Sequence, residues 1–160
     1  MDEGTMNRRG LLRGAGVAGA VALAGVAGAS SASASDMGAG LAGSWLVTHH
    51  DDPPGDQSKT MGVVSFAEGG VLLSHDISPA GPPQSGTWAR QGDGGFKGTF
   101  WGGQPGPAGP DKPGFTVKIQ VRGRAQKDGI SGTYRFQVFD PTGAKADSGT
   151  GTFSGHRINA

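Results

Sequence analysis

The chain has 160 residues, of which 14 are Lys or Arg and 13 are Asp or Glu, and it contains no Cys. Because the basic residues form no block along the sequence, it lacks the charge pattern of proteins that bind nucleic acid or anionic lipid, and we expect neither as a partner. The lack of Cys excludes disulfide bonds and a thiol nucleophile, so the fold must be held by packing alone.

The first 34 residues are typical of an export signal rather than of a folded domain. Two adjacent arginines, Arg8 and Arg9, precede the weakly apolar Gly/Ala/Val run of residues 14–29, and the small residues 32–34 follow. This arrangement resembles a twin-arginine (Tat) signal peptide cleaved after residue 34. The resemblance implies export by the Tat translocase and an extracellular or cell-envelope location. A Sec-type signal is the alternative.

Cleavage there would remove three arginines and two acidic side chains, which leaves a mature chain without net charge. The apolar run 14–29 is too short and too rich in Gly for a stable membrane-spanning helix, so we expect no membrane insertion after cleavage. We expect residues 35–42 to form a flexible mature N-terminus and residues 43–159 to form one domain.

The mature sequence has the two-residue period of β-strands and no segment with a helical period. In the run "FTVKIQVRGRA", residues 115–125, apolar and polar side chains alternate without error. The Asp-Gly pair at 128–129 then predicts a tight turn, so this strand and the next form a hairpin. In chain order, we predict strands at residues 45–50, 60–66, 71–76, 86–90, 96–101, 115–125, 130–138 and 149–158.

Eight strands at hairpin spacing fit either a β-sandwich or a closed barrel. We favour an all-β fold, an eight-stranded antiparallel up-and-down barrel, because closure leaves no exposed sheet edge. Such a barrel is just wide enough to be filled by side chains or to hold one small ligand. The tripeptide Gly-Thr-aromatic recurs at residues 86–88, 98–100, 132–134 and 151–153, which we interpret as repeated strand geometry.

Residues in the first and last predicted strands carry a resemblance to a known superfamily. Gly43 and Trp45 open the first strand as a G-x-W motif, and Arg157 lies near the end of the last strand. This combination is similar to that of the calycins, the superfamily of lipocalins, fatty-acid-binding proteins and avidins. The resemblance implies a lipocalin-like barrel in which Trp45 and Arg157 close one end through a cation–π contact.

The strand period also predicts which side chains face the interior. If Trp45 points inward, Val47 and His49 do so too, and His50 points outward. The same rule adds the interior candidates Val63, Leu73, His75, Trp88, Phe96, Phe100, Val117, Ile119, Tyr134, Phe136 and Phe153. Of these, we predict that the ligand contacts Trp88, Tyr134, Phe136, Phe100, His75 and Leu73. The alternative is a solid core made of the same residues.

The function we predict is that of a secreted β-barrel that binds a small apolar or aromatic molecule in its interior. We expect no cofactor and no metal, because the adjacent His49 and His50 point to opposite faces and no ligand set has metal-binding spacing.

Catalysis is one alternative, because the calycins include cofactor-free cyclases and isomerases that act on small hydrophobic substrates. Tyr134, His75 and His49 are the candidate catalytic residues. A structural or interaction module of the cell envelope, without a ligand, is the other alternative. Trp101 opens a long Pro/Gly-rich loop, and the alternatives for it are a lid over the pocket, an anchor on a partner, or a ring packed against the rim of the barrel.

Overall fold

The computed structural model describes residues 40–92, 94–104 and 114–159. The predicted export signal lies outside the described residues, as does most of the predicted flexible segment 35–42. None of the described segments forms a helix that could span a membrane. The described strands are β1 (Gly43–Asp51), β2 (Thr60–Phe66), β3 (Val71–Ser78), β4 (Gln84–Arg90), β5 (Gly95–Gln104), β6 (Phe115–Gln126), β7 (Gly129–Phe139) and β8 (Lys145–Arg157).

These strands form a closed barrel. Each strand pairs antiparallel with the next, and β8 returns to pair with β1. In the closing pair, Trp45 lies opposite Arg157 and Asp51 lies opposite Gly151. The predicted fold class, an all-β, eight-stranded antiparallel up-and-down barrel, is confirmed, and it fits the architecture of the calycins. Strand β6 shows the alternation that its sequence predicts, since its inward side chains are all buried: Phe115, Val117, Ile119, Val121 and Ala125.

The repeated tripeptides interlock in antiparallel pairs. In β4 and β5, Gly86 lies opposite Phe100, and Trp88 lies opposite Gly98. The two central threonines face each other on the outside of the barrel. Each inward ring therefore has a glycine as its neighbour on the adjacent strand, where a side chain would compete for the same space.

Strands β7 and β8 repeat this arrangement. Gly132 lies opposite Phe153, and Tyr134 lies opposite Gly151. A Cβ atom placed on Gly132 would lie only 2.7 Å from Cζ of Phe153. The tripeptide repeat is thus a packing device, in which the missing side chain of one strand makes room for the ring of the next strand.

The prediction of the inward side was wrong for three residues of β2 and β3. Val63, Leu73 and His75 point outward, and the side chain of Leu73 is 51% exposed. Both strands contain two adjacent aliphatic residues, so alternation alone cannot decide which one points inward. The pairing with β1 decides it, because directly paired residues point to the same side and Val64 lies opposite the buried Trp45. The inward residues of β3 are consequently Leu72, Ser74 and Asp76.

One end of the barrel is closed by the two residues that carry the calycin resemblance. The indole of Trp45 is fully buried, and the guanidinium carbon of Arg157 lies 4.2 Å from its ring centroid. Arg157 also donates hydrogen bonds to the carbonyl oxygens of Ala42, at 2.8 Å, and of Gly40. Leu41 is buried and accepts a hydrogen bond from the indole of Trp45. Residues 40–42, predicted as part of the flexible N-terminus, are therefore held against the closed end.

We expect Gly149→Ala to destabilise the barrel by about 1–3 kcal/mol, because the new Cβ atom would lie 2.7 Å from Cε1 and Cζ of Phe136. Gly103→Ala, in a strand position with open space around it, is the control and should change the unfolding free energy by less than about 1 kcal/mol. In a Phe136→Leu background, the cost of Gly149→Ala should shrink, as measured by denaturant unfolding. An equal cost in both backgrounds would show that the ring does not lie over the glycine.

Candidate functional site

The interior of the barrel includes a small cavity. Its volume is about 60 Å³, which leaves room for roughly four water molecules. Side chains therefore fill most of the interior and leave one small space among them. Six apolar side chains form much of the cavity wall: Val47, Val64, Leu72, Phe100, Ile119 and Val121.

The cavity becomes polar toward the end of the barrel opposite Trp45. The His49 and Asp76 side chains there are 19% and 17% exposed, so the cavity approaches solvent at this end. We call this end the polar mouth and define it by six residues: His49, Asp51, Ser74, Asp76, Gln84 and Tyr134.

An imidazole and a carboxylate meet in the polar mouth although they belong to strands that are not neighbours. His49 is on β1 and Asp76 is on β3, and Nε2 of His49 lies 2.9 Å from Oδ1 of Asp76. Between them, β2 presents Gly62, where a Cβ atom would lie 3.0 Å from that same carboxylate oxygen. Because an ionised carboxylate only accepts hydrogen bonds, Nε2 carries the proton in this contact. The glycine thus lets Asp76 reach across β2.

A phenol and a second carboxylate meet in the same manner on the other side of β1. The hydroxyl of Tyr134, on β7, donates to Oδ1 of Asp51 at 2.5 Å. The intervening strand β8 presents Gly151, which lies directly opposite both residues. The phenol ring lies over that glycine, within the space of the missing side chain. Both Asp51 and Tyr134 are buried, so this hydrogen bond is shielded from water.

The two pairs are in contact with each other. The rings of His49 and Tyr134 meet edge to face, with their centroids 5.7 Å apart. The polar mouth therefore holds two carboxylates and one imidazole, and no Lys or Arg side chain lines the described cavity. Its formal charge is negative whether or not His49 is protonated, which favours groups that donate hydrogen bonds or carry positive charge.

Both carboxylates of the polar mouth were missed from the sequence. The sequence prediction ended the first strand at His50, whereas β1 includes Asp51. The signal was present, because Trp45, Val47, His49 and Asp51 continue one alternation along the strand. Asp76 was missed because the sequence prediction chose the wrong inward side for β3.

The structure brings together some of the predicted site residues and separates others. Tyr134, Phe100 and His49 line the cavity. Phe136 is buried in the core without lining it. Leu73 and His75 lie on the outer wall and cannot contact a ligand inside, so their prediction as ligand contacts, and that of His75 as a catalytic candidate, was wrong.

Two of the three tryptophans also differ from prediction. Trp88 packs against Phe66, which lines the cavity, and its indole donates to the carbonyl of Ala67 in the β2–β3 turn. Trp88 itself does not line the cavity. Trp101 is on the outer face of β5, where it is 45% exposed and stacks on Phe139 with centroids 5.8 Å apart. It therefore does not cover the cavity as a lid.

The chemistry available in the polar mouth is hydrogen bonding and proton transfer. Within residues 40–92, 94–104 and 114–159, no three His, Asp or Glu side chains are grouped so that they could hold a metal ion. With Nε2 of His49 bonded to Asp76, Nδ1 is the basic nitrogen of the ring. The hydroxyl of Tyr134 lies on the neighbouring ring, beside the apolar wall.

We expect Tyr134→Phe to lower the free energy of unfolding by about 1–3 kcal/mol, because it removes a donor from the buried Asp51 carboxylate. Asp51→Asn should have a cost of similar size, and the double variant should cost less than the sum of the two single variants. Denaturant unfolding of all four proteins measures this coupling. Additive losses would mean that the two groups do not depend on each other.

No protein-family model, no curated protein and no solved structure matches this chain with significance. Its architecture fits a calycin-like barrel, but architecture alone does not define a function. The features that bear on function are therefore the cavity and the polar mouth.

Proposed function

We propose that this protein is an exported, calycin-like barrel that binds a small amphiphilic molecule through its cavity and polar mouth. The apolar tip of the ligand occupies the cavity, and its polar head contacts the polar mouth. The observation that carries the proposal is the arrangement of an apolar cavity that ends in two buried or half-buried carboxylates, each held by a specific partner. Small-molecule sites commonly combine apolar walls with a few placed polar groups.

The size of the cavity limits the ligand. At about 60 Å³, the cavity is well below the roughly 300 Å³ of a site that encloses a drug-sized molecule. Only a short aliphatic or small cyclic group fits inside, and any larger part of the ligand extends outward past His49 and Asp76. The sequence predicts a small apolar or aromatic ligand inside the barrel. The volume of the cavity restricts this ligand to one with a short apolar tip.

The charge of the polar mouth selects the head group. Two carboxylates face one imidazole, so a ligand carboxylate would meet like charge, whereas an amine or an alcohol could donate to Asp76 or Ser74. A primary amine gains the most, because it adds positive charge to a hydrogen bond. We therefore infer that the ligand is a small amine or alcohol with an apolar tail.

Export and membership of the calycins are part of this proposal. The arginine pair Arg8 and Arg9 and the apolar run 14–29 support export. The closed eight-stranded barrel and the contact between Trp45 and Arg157 support a calycin relationship.

The proposal is tested by titrating the protein with pentylamine, pentanol and pentanoate, three molecules with one tail and different heads, followed by NMR. Pentylamine should bind at least about tenfold more tightly than pentanoate, a ratio equal to roughly 1.4 kcal/mol. Val64→Phe, which fills the cavity, should abolish binding, and Val63→Phe on the outer wall is the matched control. Equal affinity for the amine and the carboxylate, or unchanged binding in Val64→Phe, would contradict the proposal.

A second candidate function follows from the orientation of His49. A histidine held by a carboxylate beside an apolar cavity has the arrangement of a general base, and here Nδ1 is its free basic nitrogen. Such a base would remove a proton from carbon next to the carbonyl of a small ketone and return one from solvent. This chemistry corresponds to the cofactor-free isomerase alternative, with His49 in the role that the sequence also offered to His75.

Deuterium uptake by 2-butanone in heavy water, followed by NMR, measures this activity. If His49 is a base, the protein should accelerate uptake, and His49→Gln should reduce the acceleration by at least about a hundredfold. His75→Gln, which changes a histidine on the outer wall, should leave it unchanged. Equal uptake with and without protein would exclude this second function for small ketones and leave the binding function intact.

A further inference from the structure

The outer wall of β5, β6 and β7 is strongly cationic. These three adjacent strands contain no Asp or Glu. Their basic residues all point away from the buried face, because each one alternates with an inward residue. Strand alternation thus gathers on one wall charges that are spread out along the sequence: Lys97, Lys118, Arg122, Arg124 and Arg135.

A shallow trough crosses this wall at right angles to the strands, with a volume of about 640 Å³. Two parallel rows of outward side chains form its two banks. The backbone of the row of paired residues between these rows forms its floor. One bank consists of Ala89, Lys97, Arg122 and Thr133, and the other consists of Thr87, Thr99, Gln120, Arg135 and Thr150. Five strands at about 4.8 Å spacing give it a length of about 19 Å.

The cations of this trough have no carboxylate partner in the described part of the chain. Lys97 lies directly opposite Arg122, so two like charges face each other across a strand pair, an unfavourable arrangement in the absence of an anion. Arg135 donates from Nε to Oε1 of Gln120 at 2.8 Å, which fixes its guanidinium and leaves its other N–H groups available. Asp52 lies at the β8 end, where it accepts from the hydroxyl of Thr150.

We propose that the cationic trough binds a linear acidic polysaccharide. Its cations match the carboxylate or phosphate groups of such a polymer, and its threonine and glutamine side chains match sugar hydroxyls. The length of the trough, about 19 Å, suits a few consecutive sugar units. Binding on the outer wall leaves the cavity free, so this site is independent of the proposed function.

The composition of the wall favours an acidic sugar polymer over nucleic acid. Proteins that bind single-stranded nucleic acid stack successive bases on several aromatic side chains. No aromatic side chain stands on either bank, and the nearest exposed ring is that of Trp101, one row away beside Lys118. A single ring of this kind can pack against one sugar, whereas the rest of the wall offers hydroxyl, amide and cationic groups.

The test is binding of polygalacturonate, a linear polyuronate, to the full exported chain, measured by calorimetry at low salt and at fourfold higher salt. We expect binding that weakens by about tenfold or more over this interval, since about three charge contacts are made. Neutral dextran should not bind, and an oligothymidylate should bind more weakly than polygalacturonate. Tighter binding of the oligothymidylate would overturn the proposal in favour of nucleic acid.

Matched variants separate a built site from general charge attraction. The double variant Lys97→Gln/Arg122→Gln should lose at least about tenfold in affinity. Lys59→Gln/Lys145→Gln removes the same charge from exposed positions outside the trough and should change affinity by less than about twofold. Equal losses in both variants would overturn the proposal. Unchanged polyuronate binding in Val64→Phe would show that the trough acts apart from the cavity.

Discussion

The packing of this barrel's interior depends on the placement of glycine opposite a larger inward side chain. In a narrow eight-stranded barrel, side chains from all strands compete for the same interior. Gly132 and Gly149 yield their share of space to the rings of Phe153 and Phe136. A glycine in a strand weakens it through backbone entropy and lost packing, and the ring that covers it offsets that cost. The rings can therefore be large although the barrel is small.

The polar mouth uses the same device for a different purpose. Gly62 and Gly151 each let a polar side chain reach across an intervening strand, so that Asp76 meets His49 and Tyr134 meets Asp51. Without these two glycines, a side chain of the intervening strand would stand between the partners, and each carboxylate would lose one hydrogen-bond partner at the edge of an apolar cavity. An unpaired charge there would be costly, so packing and site chemistry have the same structural origin.

The sequence predicts the fold more completely than it predicts the site, for a physical reason. Alternation in β6 and the turn signal of the Asp128-Gly129 pair are local, and eight such strands leave few architectures; the turn itself consists of Lys127 and Asp128, and Gly129 begins β7. Which of two adjacent aliphatic residues points inward in β2 and β3 depends on pairing with β1, which is a long-range property. The contact between Asp76 and His49 is not encoded in either segment alone, so it becomes visible only in the closed barrel. The cationic wall is long-range in the same way, because its basic residues belong to three different strands and are brought together only by strand pairing.

The NMR signal of the Tyr134 hydroxyl proton tests the central claim most directly. This proton lies over Gly151, in the hydrogen bond to the buried carboxylate of Asp51, and belongs to the polar mouth that we propose contacts the ligand head group. In the NMR spectrum of the free protein it should be a slowly exchanging signal downfield of the amide protons, and Asp51→Asn should remove it. Titration with pentylamine should shift this signal, while titration with pentanoate should leave it in place. A signal that is absent from the free protein, or that does not respond to the amine, would contradict the account.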